Sequence, residues 1–479
     1  MRYADWKAPK QDGETLLWPA LDALIADASA THDRLGLADV LVQETPLSEL
    51  RRTARQFLGI DDATPLFVTG HQAELHHPGV WAKNAIIHAA ANQTGGEALH
   101  VVVDTDTPKH LLLRWPAHEP GGVGMDEPIT DDPGLATAKW SGALQPPTPA
   151  HVAKLQRRLA ESASDWKHQP MLAEVLEQLA PVEQDTTFAP GGLPAVLASA
   201  THNLDWDLGL RYSMLTLSPM LESPAWLALV HHLARNAEKL RADYNAALAN
   251  YRRQEEITDP QRPMPDLAPG ELPLWLDDLD RGTRRRAQLS EGRLIIDGDV
   301  FEFGDGDAES AGRALVMFLR RHRRRLSPRA LSLTLFLRLF VADNFVHGIG
   351  GGRYDQVADR LIASFFGIEP PRFSVATATL MWPGVGEIER VCPSCIKQRL
   401  HRAEHAILET PTIKSQADFA AYHRQRWAAA DADESIRRIR QALREAPMRQ
   451  RWESSVTSRE LFYPLQPRER LESLLSVFA

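Results

Sequence analysis

The stretch that most constrains this chain runs from Pro65 to Thr107. It opens with the apolar run "PLFVTG", passes through the polar turn "HQAELHH", continues as the helix-forming "PGVWAKNAIIHAAAN", stops at "GG" and re-enters an apolar run, "LHVVVDTDT". Pro78 suits a first helical turn, Gly95 suits a helix end, and the β-branched Val101 to Val103 suit a strand buried on both faces. The order predicts a βαβ unit and hence an α/β protein with a parallel sheet. Ligands of such sheets collect beyond the carboxyl ends of the strands. The turn from Gly70 to His77 and the acidic turn from Asp104 to Thr107 are therefore expected to line one crevice.

Around this unit the chain divides by composition. Residues 1–64 read as an N-terminal helical segment. Residues 65–255 read as the first part of the core, with a Pro- and Gly-rich insertion at about 115–190. Within them, "LPAVLASATHNL" into "LGLRYSMLTLSPML" offers another strand, and "AWLALVHHLARNAEKLRADYNAALANYRRQEE" has the periodicity of one long surface helix. Residues 256–309 combine a proline-rich linker with the alternation of a small antiparallel meander. From 310 to 385 a helix ending in "RRHRRR", read as a solvated helix end, precedes a buried helix, a glycine-rich turn and a further helix that complete the core. Residues 386–479 are charged and helical.

A net charge of −9 gives no overall pull toward nucleic acid or an anionic membrane, so small molecules are the expected partners. The start, "MRYADWKAPKQDGE", lacks an apolar signal core. The greasiest stretch, "LSLTLFLRLFVADNF", is too short for a bilayer and is interrupted by Arg338. A cytoplasmic protein is expected. The two cysteines both lie in "CPSC", which argues against a disulfide framework.

Four constellations carry chemistry. In the first loop Thr69, Gly70, His71 and Gln72 precede a helix N-terminus, where free N–H groups favour a phosphate or carboxylate. The bland alternative is a polar turn and cap, above all for His76 and His77. Asp104 and Asp106, two apart on an extended strand end, are expected to face the same side. There they could share Mg²⁺ with a nucleotide such as ATP or ADP, or bind an ammonium group; the alternative is a strand-ending turn. Lys109 follows closely. In "HGIGGGRYD", Gly350, Gly351 and Gly352 permit positive φ and close approach to a ligand, while His347, Arg353 and Asp355 supply acid, base and anion-binding groups. A tight helix connection needs the same glycines. Arg338 and Asp343, charges in an apolar helix, are expected to pair with each other. Finally, Cys392, Cys395, His401 and His405 have the ingredients of a structural zinc site at tight spacing. A redox pair or an ordinary helix start are the other readings.

Several of these segments together resemble one family. "PLFVTGHQAELHHPGVW", "VVVDTDTPKH", "LPLWLDDLDRGTRRRA" and the block from "LSPRALSLTLFLRLF" to "PPRFSVATATL", which contains Arg372, occur in the order found in the cysteine ligases of bacillithiol biosynthesis. The resemblance covers roughly residues 65 to 385. It implies a Rossmann-like, nucleotidylyltransferase-type core with inserted connecting segments and a helical C-terminal region that forms homodimers. It also implies a site able to hold a nucleotide, and amide formation between a cysteine carboxyl and a sugar-type amine. In that reading the two glycine-containing loops hold anionic groups, Asp104 and Asp106 hold a metal or the amino group, and His71 or His347 assists proton transfer. The chain departs from the family where Gly70-His71-Gln72 replaces a Gln-Gln pair and where Thr105 stands for a His between the two acids. "DNFVHGIGGGRYD" and "RPMPDLAPGELPLWL" are also similar to a related set of uncharacterised bacterial proteins, which implies a paralogue with another substrate. A nucleotide-binding protein without ligase chemistry is the first alternative, and a zinc-stabilised helical scaffold the second.

Overall fold

A computed structural model describes residues 6–122, 124–179, 192–387, 390–409, 411 and 415–478. The predicted βαβ unit forms as read. The helix Pro78–Thr94 has His77 as its N-cap, a proline in its first turn and Gly95 as a left-handed C-cap at φ 66°. It is apolar on all sides and buried for most of its length, as a helix sandwiched between a sheet and other helices must be.

The strands flanking this helix lie inside a six-stranded sheet. In chain order, β1 (Thr15–Trp18), β2 (Leu66–Gln72), β3 (Glu97–Val103) and β4 (Ser213–Thr216) form its first part. A second sheet follows, made of β5 (Glu271–Asp278), β6 (Thr283–Ser290), β7 (Arg293–Ile296), β8 (Asp299–Glu302) and β9 (Arg324–Pro328). The chain then returns to the first sheet with β10 (Asn344–His347) and β11 (Phe373–Ala378). The spatial order of the first sheet is β1-β11-β10-β2-β3-β4. All its pairs are parallel except the antiparallel edge of β1 on β11. The winding goes outward from β2 to β4 and resumes on the other side of β2, so the strand order reverses between β2 and β10. The second sheet is antiparallel in the order β8-β7-β6-β5-β9 and curves as a half-barrel, with a bulge between Arg286 and Gln288. The protein is thus an α/β protein with a mixed, mostly parallel sheet, an antiparallel half-barrel and a helical C-terminal region. Among the described residues no helix is long and apolar enough to cross a membrane.

Alternation along the parallel strands divides the core in two. Leu66, Val68, Leu99, Val101 and Phe345 face the half-barrel and the helices Leu47–Phe57, Pro224–Arg235 and Ile349–Leu361. Phe67, Ala98, Val346 and Ala376 face the Pro78 helix, the helix Gly192–Asp207 and the last residues of the chain.

Several segments differ from the reading of the sequence. The N-terminal segment is not purely helical, because β1 extends the main sheet. "LPAVLASATHNL" lies in the helix Gly192–Asp207, and the strand comes after it. The single long helix is two, Pro224–Arg235 and Ala237–Gln254, separated at Asn236; the first is buried. Only the first part of the "RRHRRR" run is a solvated helix end, since Arg320 and Arg321 close their helix and are exposed. The helix Ala308–Arg321 stops within it and the chain turns into β9, where Arg324 pairs with Asp278 (2.9 Å) and Asp297 (3.0 Å), and Arg325 with Asp277 (3.0 Å).

The buried helix before the glycines also ends early. Its last turn, Leu337–Val341, widens to a π-helix, and β10 follows Asp343. Gly350 to Gly352 are therefore not a turn between helices. They form the first turn of the Ile349 helix after a strand, and none of the three has positive φ. Gly352 is required by packing, since a Cβ there would come within 2.5 Å of Val375 Cγ2 and 2.9 Å of the Trp6 ring.

Asp343 does not pair with Arg338. Its carboxylate takes Arg51 Nη2 on one oxygen and Arg55 Nη2 on the other, both at 2.7 Å, and also accepts the Leu66 N–H at 2.8 Å. The same arginines donate to the carbonyls of Leu339 (2.8 Å) and Val341 (3.1 Å), at the end of the widened turn. Burial opposes ionisation of Asp343, but the His32 hydrogen bond and the two guanidinium charges hold its carboxyl below the usual range. Replacing Arg55 with Met strands part of this buried charge. It is expected to lower the unfolding free energy by about 3–5 kcal/mol, read as a shift of the urea midpoint.

Candidate functional site

Where the strand order reverses, the ends of β2 and β10 lie side by side; the two turns expected to line one crevice meet through Gln72 and Asp106. Val346 is in register with Thr69, whose Oγ1 donates to the Val346 carbonyl at 2.7 Å. His347 therefore ends β10 at the level of Gly70, one residue before His71. Alternation sends the two histidines apart. His71 lies on the Pro78-helix face, while His347 packs on Phe345 and Phe373 on the other face, with ring centroids 4.5 and 5.3 Å away. The two loops flank one sheet edge from opposite faces.

On the first face the expected anion cradle at the Pro78 helix does not form. The Gly79 N–H is taken by His77 Nδ1 at 3.0 Å, and Thr377 Oγ1 and the Arg459 guanidinium lie where a Cβ of Gly79 would point. A buried polar cluster occupies this face instead. The His76 ring is edge-on to His71 (5.2 Å) and stacked on His100 (5.4 Å); it is buried rather than turned to solvent. His100 Nδ1 meets Asn84 Oδ1 at 2.7 Å, and Asn84 Nδ2 donates to Asp205 at 3.2 Å. Asp205 accepts further hydrogen bonds from Trp81 Nε1 (2.8 Å), Tyr463 OH (2.8 Å) and Tyr212 OH (2.5 Å). Near the open end, His71 Nδ1 is 3.2 Å from Glu74 Oε1 but out of line for a hydrogen bond, and Lys83 Nζ donates to the Gly70 carbonyl at 2.8 Å. Glu74 Oε2 and His100 Nε2 are buried and have no hydrogen-bond partner among the described residues.

Desolvation dominates the ionisation of this cluster. Burial pushes the Glu74 carboxyl up to about 8 and the Lys83 ammonium down to about 7. Burial and the Lys83 charge lower His76 to about 3 and push His71 well below its ordinary value. The imidazoles of His71 and His76 are thus uncharged at pH 7.

On the other face a buried carboxylate holds His347. Its Nε2 lies 2.9 Å from Asp355 Oδ2, which also accepts Arg338 Nη1 at 2.6 Å. Arg338 reaches Asp359 as well, at 2.6 Å. Burial opposes ionisation of Asp355, but the Arg338 charge and His347 bring its carboxyl down to about 2. The carboxylate engages Nε2, and Nδ1 is the ring nitrogen left outside this contact. Nδ1 faces Gly351, where a Cβ would come within 2.8 Å of it. Above the ring, the Ile349 helix begins at Gly348 with no side-chain cap. Space is open around Gly348 and Gly350. The first backbone N–H groups of this helix are therefore available to an anion.

The remaining candidates separate. The extended backbone of β3 stops at Val103, and the Asp104 N–H bonds back to the Val102 carbonyl at 3.0 Å, so the period-2 argument fails beyond it. Asp104 accepts the Ser218 N–H at 2.9 Å, whereas Asp106 accepts from the Gln72 amide. The two acids face different partners and share no site; burial raises the Asp104 carboxyl. Arg353 Nη2 donates to the Trp6 carbonyl at 2.5 Å, away from the crevice, and Lys109 and Arg372 are exposed. The expected zinc set does not assemble. Cys392 and Cys395 are bonded to each other, His401 and His405 stack at 4.3 Å, and no group of three His, Cys, Asp or Glu side chains that could hold a metal occurs among the described residues.

Sequence reading passed over Glu74, Lys83, Asn84, His100 and Asp205. The signal for Lys83, Asn84 and His100 was present, since they are polar residues inside an apolar helix or strand. Nothing local marks Asp205. No family model matches the chain, and no curated protein matches it.

The opposed shifts make a pH signature. A raised carboxyl pKa means the fold holds the Glu74 proton more tightly than the unfolded chain does. That contribution is full below about pH 4.5 and is lost as pH rises toward 8. The lowered Lys83 pKa acts oppositely, contributing above about pH 10.5 and losing its effect as pH falls to 7. Glu74→Gln keeps a neutral side chain. Its stability relative to the native chain should rise by up to about 5 kcal/mol between pH 4.5 and 8, then level off. Urea midpoints that move in parallel for both proteins across this range would contradict the buried neutral carboxyl.

Proposed function

We propose that the protein is an enzyme of small-molecule chemistry. It binds a nucleotide on a Rossmann-type, nucleotidylyltransferase-like core and joins an amino-acid carboxyl to an amine, as the cysteine ligases it resembles do. One observation carries this reading: the uncapped, open start of the Ile349 helix stands directly above His347, at the point where the strand order reverses. A phosphate or carboxylate placed there receives N–H groups from Ile349, Gly350 and Gly351 together with the favourable end of the helix dipole.

The chemistry such a site supports follows from its parts. Amide formation removes one oxygen from a carboxylate, and a nucleotide supplies the phosphoryl group on which that oxygen leaves. The incoming amine must lose a proton. His347 Nδ1 is the base positioned for it, and ionised Asp355 stabilises the imidazolium that results. Asp104 and Asp106 do not converge, so no step is routed through a magnesium ion. A second reading, a nucleotide-binding protein without ligase chemistry, is favoured by those same acids, each already committed to a protein donor.

Calorimetric titration with ADP and ATP tests binding. Gly350→Asp, at a position with room for a side chain, should weaken ADP binding about tenfold or more by placing a carboxylate at the helix start. His347→Gln should leave ADP affinity within about twofold while lowering amide formation from cysteine and an amino-sugar acceptor by about 10²- to 10⁴-fold. Absence of nucleotide binding at millimolar concentration overturns the proposal. Binding without turnover in the native protein favours the second reading.

A further inference from the structure

We propose that Cys392 and Cys395 are a redox-active pair that exchanges electrons with small anionic thiols and disulfides, an activity separate from the crevice. The two sulfurs are joined across Pro393 and Ser394 at the start of the helix Pro393–Ala406. Cys392 is the N-cap of this helix. Its Sγ accepts the Cys395 N–H at 3.2 Å and lies 3.3 Å from Ser394 Oγ. These donors and the helix start favour negative charge on Cys392 Sγ when the bond opens, which makes Cys392 the attacking and leaving sulfur. Cys395 is exposed and Cys392 half-buried, so a small reagent reaches the pair from solvent.

The surroundings select the reagent. From Arg390 to Arg402 the chain carries Arg390, Lys397, Arg399 and Arg402 and no acid. From the helix Glu434–Val456 packed beside it, Glu453 reaches the segment by accepting the Val391 N–H at 2.7 Å. These cations stand in the sequence between Glu387 and Glu389 on one side and Glu404, paired with Arg440 at 2.7 Å, on the other; those closest in sequence to the cysteines, Arg390, Lys397 and Arg399, suit a thiol bearing carboxylate groups.

The exchange balances without a further reagent. In the reduced protein the Cys392 thiolate attacks one sulfur of a disulfide R–S–S–R; that bond breaks, and the first RS⁻ leaves and takes a proton from water. Cys395 then gives its proton to solvent and attacks Cys392 Sγ, expelling the second RS⁻, which is protonated in turn. Two electrons pass from the protein to the small disulfide, giving two RSH and the closed pair seen in the structure. Two RSH drive the reverse.

Full-length protein equilibrated in glutathione–glutathione disulfide mixtures, acid-quenched, alkylated and weighed by mass spectrometry tests this. The expected result is complete, reversible interconversion of dithiol and disulfide in the folded protein. With glutathione disulfide, Cys395→Ser should acquire a glutathione adduct on Cys392 about tenfold faster than Cys392→Ser acquires one on Cys395. Circular dichroism of both variants confirms that the helices persist. The proposal is overturned by equal adduct rates in the two variants, by a disulfide that millimolar glutathione leaves closed, or by reduced protein that takes up one zinc ion and then resists oxidation.

Discussion

The buried carboxylate of Asp343 holds the molecule to one arrangement. It stands just before β10, bonds the first N–H of β2, and is gripped by two arginines from the helix Leu47–Phe57. One charged group thus joins three stretches of chain far apart in sequence. Isolated, any member of this cluster would be too costly to bury; together they satisfy one another and the carbonyls freed by the widened turn before β10. The register of β10 on β2 begins at this cluster. At the other end of the same strand pair, that register sets Thr69 opposite Val346 and His347 beside Gly70.

The two faces of the sheet edge use buried polarity differently. On the His347 face the charges are real and paired, Arg338 against Asp355 and Asp359, and their role is to hold one imidazole in one orientation. On the Pro78-helix face desolvation wins over pairing. Glu74 and Lys83 are driven toward their neutral forms, and the histidines beside them stay uncharged. The first arrangement suits repeated proton exchange at a fixed atom. The second concentrates groups whose ionisation lies near neutrality beneath the partly exposed His71.

The βαβ unit was legible because its signals are local: a proline and a glycine at the helix ends and β-branched strands around it. Four strands of the half-barrel were legible as a meander from their turns and alternation, whereas its fifth, β9, was hidden in a run read as a helix end. β10 was not, because a four-residue strand following an apolar helix has no turn residues to separate it, and the π turn that divides them depends on tertiary arginine contacts. The glycines of "GIGGG" signalled close approach correctly but not what approaches: Gly352 admits Val375 and Trp6, Gly351 admits His347, and only Gly348 and Gly350 stand open. Asp104 and Asp106 were read as one site because strand parity was extended past the last extended residue. For Arg338 and Asp343, nearness in sequence suggested a pair, whereas each finds its partner elsewhere in the fold.

The Asp205 network ties the first βαβ unit to a distant stretch of the chain. Trp81 and Asn84 belong to the first βαβ unit, yet the carboxylate they bond also requires Tyr463, whose own N–H caps the His76 carbonyl at 2.8 Å. The polar interior behind β2 and β3 is therefore completed by a segment far away in the sequence. The acceptors behind His71 are thus satisfied jointly by the βαβ unit and by that distant segment, and the loss of either leaves a buried carboxylate short of donors.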